Sequence, residues 1–184
     1  MLAAGTVLTR IYNRDYLGPD QYNHHGPRAR FDHHDPGLPR SDLHHGVYYA
    51  ADDLAGCIIE VFGDRGEIET MNYGVATVTL RRDLRLLDLN GGGAWEAGSV
   101  AALTQDADCA TTQTWARHFY DDQTTYGALD GLRYENAHNR AIGFGLPVSR
   151  RCPPRRRCRH VAWPPSRPAH GDESYEARYR PPEP

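Results

Sequence analysis

Two residue types in this chain could act on a charged or phosphorylated ligand. Arg10 and Arg30 carry guanidinium groups that stay charged at any physiological pH and grip phosphate oxygens in a fork. Glu60 falls at the edge of an apolar helical stripe, where a carboxylate can be half sheltered. From residue type alone, a strand arginine more often pairs with a surface acid, and a helix-edge glutamate is usually solvated. Tyr48 and Tyr49 must point to opposite faces of a strand, so at most one lies on the same side as Arg10. Three His-His pairs, at 24–25, 33–34 and 44–45, resemble metal-ligand clusters. Adjacent histidines rarely ligate one ion together, and no i,i+4 partner supports them, so no metal is expected.

The elements that must position these groups follow from periodicity. Residues 6–12 (TVLTRIY) alternate and predict a strand holding Arg10. Residues 13–45 are polar and rich in Gly, Pro, Asp and His, which predicts a long loop of the kind that is functional or mobile. Residues 46–51 predict a second strand. The clearest helix follows: Asp52 or Asp53 can cap it, and Leu54, Cys57, Ile58, Val61 and Phe62 fall at i, i+3, i+4, i+7 and i+8 before Gly63. Strands are predicted at 72–82 and 84–89, helices at 94–103 and 111–120, and a turn into a short strand at 130–136. Interspersed strands and helices point to an α+β fold, a compact mixed sheet with flanking helices.

Charge and composition divide the chain after Pro147. Residues 148–184 hold nine arginines against four acidic residues and eight of the chain's 13 prolines. Such a segment cannot build a helix or a central strand and predicts a disordered tail. The expected division is therefore a domain over 1–147 and an Arg/Pro-rich tail over 148–184. A basic tail without a fold gives only a nonspecific pull on nucleic acid, so nucleic acid is not an expected partner. No apolar run reaches membrane-span length and no signal-peptide pattern opens the chain. The four cysteines lack metal-ligand spacing. A cytoplasmic protein with free thiols is expected.

The order of landmarks resembles the RES family, named for its Arg, Glu and Ser. The motifs are TRIY with Arg10, ARFD with Arg30, GVYYAADDLAGCIIEVF with Tyr49 and Glu60, and DGLRYEN ending at Asn136. The TQTWAR helix at 112–117 is also family-like. The resemblance implies an ADP-ribosyltransferase-like fold and a toxin that consumes NAD⁺ as substrate, by hydrolysis, phosphorolysis or ADP-ribose transfer. It also implies an Xre-type antitoxin partner. On this reading Glu60 stabilises the cationic ribose, Arg10 and Arg30 hold the pyrophosphate (with Arg28 able to replace Arg30), and Tyr49 stacks on nicotinamide or bonds the ribose. Asn136 stands where the family has Ser and lacks its hydroxyl. The alternative is therefore a catalytically impaired RES-like binding module. The enzymatic assignment requires Arg10, Arg30 and Glu60 to converge on one cleft.

Overall fold

The computed structural model describes residues 1–104, 108–136 and 138–148, and the backbone of 158–161. The elements run in order β1 (Val7–Asn13), β2 (His25–Gly26), β3 (Arg40–Ser41), β4 (Val47–Ala51), α1 (Leu54–Phe62), β5 (Tyr73–Thr79), β6 (Leu86–Asp88), α2 (Gly93–Glu96), a 3-10 turn (Ala101–Thr104), α3 (Cys109–Asp121), α4 (Gln123–Tyr126), β7 (Gly131–Glu135), β8 (Ile142–Pro147) and β9 (Cys158–Val161). The main sheet has the order β6-β7-β8-β4-β1-β5-β9, antiparallel except for the parallel pair β6–β7. The α+β expectation holds.

The alternation of strand side chains divides the sheet into two faces. Register pairs Thr9 with Ala51, Ala51 with Gly143, and Gly143 with Tyr134. These residues, with Ile11, Val47, Tyr49, Leu132 and Gly145, share the face on which α1 and α3 pack. There Phe31, Leu103, Ala116, Phe119, Leu132 and Tyr134 belong to one buried cluster. The other face carries Leu8, Tyr48, Ala50, Val78, Phe144 and Leu146, covered by Tyr22, Leu80 and Leu84.

The first helix forms as its sequence dictates. Asp53 caps it by accepting from Gly56 N, and Gly63 closes it, its N–H donating to Ile59 O. The helix expected at 94–103 is instead broken into α2 and a 3-10 turn. Gly98 between them sits at φ 78°, a left-handed conformation that ends a helical turn. Strand β8 was not expected, because two glycines blunt its apolar pattern. A Cβ on Gly143 would come within 2.8 Å of the Tyr134 ring, so that glycine lets the ring lie flat on the sheet.

The tail expectation falls largely outside the described residues. Within it, Cys158–Val161 pairs with β5 as an edge strand. The loop at 13–45 is ordered by internal contacts, including the two-stranded β2–β3 ribbon.

Candidate active site

Four of the five residues singled out from the sequence stand on the helix-bearing face. Tyr49, Glu60 and Asn136 line one small cavity together with Ile11, Tyr134 and Gly143. At about 30 Å³ it is shut to the size of a single water, so it marks where side chains converge and must open to admit a ring.

Glu60 leaves α1 at the edge of its apolar stripe. The residue is exposed overall, but one carboxylate oxygen turns inward and accepts from the buried Tyr134 hydroxyl at 3.3 Å. Burial of the carboxyl raises its pKa, opposed by the charge of Arg30 and by the Tyr134 hydrogen bond. Tyr134 itself is held neutral, its pKa pushed well up by burial and by the Glu60 charge. Its hydroxyl is therefore a fixed donor to Glu60.

Arg30 sits on the chain segment at 28–34 that straps this face. Its Nη1 donates to Thr104 O at 2.8 Å, and its guanidinium lies 5.3 Å from the Phe31 ring and 5.8 Å from that of Tyr134. Its Nη2 is buried and has no hydrogen-bond partner. A buried cationic donor left unmatched is costly, and an anion at this point would satisfy it. Arg28, two residues earlier, is exposed.

Tyr49 donates to Asp32 Oδ1 at 2.8 Å, and burial is the first cause of its strongly raised pKa. Asp32 is fully buried, and its other oxygen accepts from the backbone of Arg28 (2.7 Å) and Ala29 (2.9 Å). One carboxylate thus fixes both the tyrosine and the strap that carries Arg30. Sequence reading missed Asp32 and Tyr134. Their only signals are their places in ARFD and in DGLRYEN, since a buried acid in a polar loop leaves no periodicity.

Asn136 is buried, but its side-chain oxygen accepts from the backbone of His138 (3.1 Å) and Asn139 (2.9 Å), closing a turn.

The structure does not bring Arg10 to these residues, which corrects the expectation that it binds substrate beside Glu60. Its strand neighbours Thr9 and Ile11 face α1, so the arginine must face away. It is 3 % exposed, lies 4.1 Å over the Tyr48 ring, and donates to the backbone oxygens of Gln21 (2.6 Å) and Pro19 (3.5 Å). That guanidinium holds the 19–21 segment against the far face. The required convergence of two arginines and one carboxylate therefore fails: Arg10 lies on the far face, while Arg30 stands close enough to Glu60 for its charge to lower that carboxyl's pKa.

The histidine pairs are not simply loop polarity. His33 and His34 are buried, and His33 packs 4.1 Å from Tyr120 and 5.3 Å from His45. No cluster of three or more His, Cys, Asp or Glu in metal-holding geometry occurs among the described residues. No helix among them is long and apolar enough to cross a membrane.

Comparison with known proteins adds a family and a fold. The model of the RES domain matches residues 7–161. A chain in the crystal structure of the M.tuberculosis MbcT–MbcA toxin–antitoxin complex superposes with a TM-score of 0.53 at 16 % identity, covering 88 % of this chain and 86 % of that one. At that identity the likeness is one of fold. No curated protein sequence matches the chain.

Proposed function

The chain belongs to the RES-domain family, and from that premise we propose that it is the NAD⁺-consuming toxin of a toxin–antitoxin pair, acting in the cytoplasm. The observation that carries this reading is the carboxylate of Glu60. It is braced by a buried tyrosine, lies in the field of Arg30, and has Tyr49 and Asn136 around the same cavity.

The chemistry asked of the site is cleavage of the bond between ribose C1′ and the nicotinamide nitrogen. The bonding pair leaves with nicotinamide, which departs neutral, so no strong acid is needed. Positive charge builds on the ribose as in glycoside cleavage. Ionised Glu60 stabilises that charge through space. Arg30 holds the pyrophosphate through its unmatched Nη2, and Tyr49, oriented by Asp32, sets the ribose or nicotinamide ring. The acceptor at C1′ is water, phosphate or a protein group. The antitoxin, of Xre type by the family resemblance, covers this cleft in the resting complex. The solved neighbour is itself a toxin–antitoxin complex, which supports a partner of that kind.

Losing Arg10 from the site removes half of the expected phosphate grip, and the reading now rests on Arg30. A second reading, a catalytically impaired binding module, is favoured by Asn136. Its side-chain oxygen is committed to a turn where the family has a serine hydroxyl.

Incubating the purified protein with NAD⁺ and measuring free nicotinamide tests both. The enzyme reading expects release, falling by about 100-fold or more in Glu60→Gln with the fold intact. No release, with NAD⁺ binding retained in calorimetry, leaves the binding module.

A further inference from the structure

A second, larger cavity lies further along the same sheet face and takes no part in the chemistry above. It encloses about 340 Å³ and is lined by Phe31, Phe119, Tyr120, Gln123, Gly145 and the backbone of residues 127–131, among others. We propose that this cavity receives the purine nucleoside half of the dinucleotide, so that the substrate lies along the sheet face from here to Glu60. This rests on the NAD⁺ reading.

Position supports it first. Phe31 lines the cavity, and its ring packs 4.4 Å from that of Tyr134, which lines the cavity at Glu60 and whose hydroxyl reaches that carboxylate. Beside Phe31 stands the Arg30 guanidinium with its unmatched Nη2. A dinucleotide has the same order, with two nucleosides separated by a doubly charged pyrophosphate. Purine in the cavity, pyrophosphate at Arg30 and nicotinamide ribose at Glu60 place each chemical group beside its complement.

Size and lining agree. Ligand pockets run from ~300 to ~1,000 Å³, and this one is at the low end, enough for a nucleoside and too small for the whole molecule. Aromatic side chains supply faces for a planar heterocycle. The Gln123 amide and the peptide groups of 127–131 can read its edge, as side-chain amides do for adenine. The two charged side chains in the lining, Arg82 and Asp130, are paired with each other, which suits a neutral ring and not a phosphate. Gly145 forms the floor, and a Cβ added there meets nothing nearer than the Tyr49 ring at 3.6 Å. A larger side chain at that position would grow into free space.

The test fills the cavity from two walls, with Gly145→Leu on β8 and Ala116→Leu on α3, each checked for folding by circular dichroism and melting. The substrates are NAD⁺ and nicotinamide riboside, which has no purine, and the binding probe is AMP in calorimetry. The expected result is a fall of at least about tenfold in the preference for NAD⁺ over nicotinamide riboside, read as the ratio of kcat/KM values, with a matching loss of AMP affinity. An unchanged ratio in both variants overturns the proposal. If the unaltered protein releases no nicotinamide from either substrate, the enzymatic reading has failed and AMP alone decides. Binding weakened by the substitutions then supports a purine site, while no binding, or equal binding in the folded variants, overturns it.

Discussion

Replacing Arg10 by Met separates a structural arginine from a substrate-binding one. Met keeps most of the length that packs on Tyr48 and removes the charge. The lost hydrogen bond to Gln21 O is charge-assisted and contributes about 1.5–3 kcal/mol. The lost cation–π contact over Tyr48 contributes about 2 kcal/mol when desolvated, of which a thioether–aromatic contact returns about 0.3–1.5 kcal/mol. Pro19 O keeps the Tyr48 hydroxyl as donor, whereas Gln21 O loses the guanidinium. Relief from burying a charge offsets part of the loss. The net expectation is about 2–4 kcal/mol of destabilisation, or a Tm lowered by roughly 5–15 °C for a chain of this size. Thermal and urea melts measure the loss. Calorimetry with NAD⁺ is done well below the lowered Tm, where binding should stay within about threefold of the unaltered protein. The reasoning is refuted if Arg10→Met melts normally yet fails to bind NAD⁺, since the guanidinium would then be touching substrate and not the 19–21 segment.

The remaining expectations concern the helix-bearing face. Because burial raises the Glu60 pKa, nicotinamide release should fall on acidification at a pH above the ordinary carboxylate range. Stability should move the other way: the native state binds that proton more tightly than the unfolded chain, so this group's contribution is gained as pH falls and lost as pH rises through the raised value. Comparing urea midpoints of the unaltered protein and Glu60→Gln across the range isolates it, and identical pH dependence in the two would contradict the burial. Asp32→Asn faces an amide donor toward either the Tyr49 hydroxyl or two backbone N–H groups, so it should cost about 1–3 kcal/mol and raise KM for NAD⁺. A change in neither melting nor KM would show that the carboxylate anchors nothing. Asn136→Ser restores a hydroxyl at the cost of one turn contact, and nicotinamide release should rise; an equal or lower rate removes the argument for impairment.

What the sequence made legible was local. Helix α1 could be bounded to within one residue because the Asp52–Asp53 cap, the apolar spacing and Gly63 all act within one or two turns. Tyr49 and Glu60 could be paired because strand and helix adjoin in the chain. The helix at 94–103 was overextended because Ala, Trp and Leu outweighed one glycine, Gly98, which takes φ 78° and ends the helical turn. Asp32, His33 and His34 lie in a stretch whose composition reads as solvated loop, yet all three are buried. Their burial comes from contacts with β4, with α3 and within the loop, which no short window contains. Strand β8 was hidden because two glycines interrupt its apolar pattern, and one of them, Gly143, leaves room for the ring of Tyr134, a partner from another strand.

The misplacement of Arg10 has a more general cause. Alternation tells which residues of β1 share a face, and Leu8, Arg10 and Tyr12 plainly do. It does not tell which face receives the helix; the pairing of Thr9 with Ala51 decides that. A slip of one residue would carry Arg10 to the Glu60 side, but it would also turn Leu8 out of its core and Ile11 away from the cavity that Glu60 lines. The register is therefore held by apolar burial on both faces, and the arginine follows.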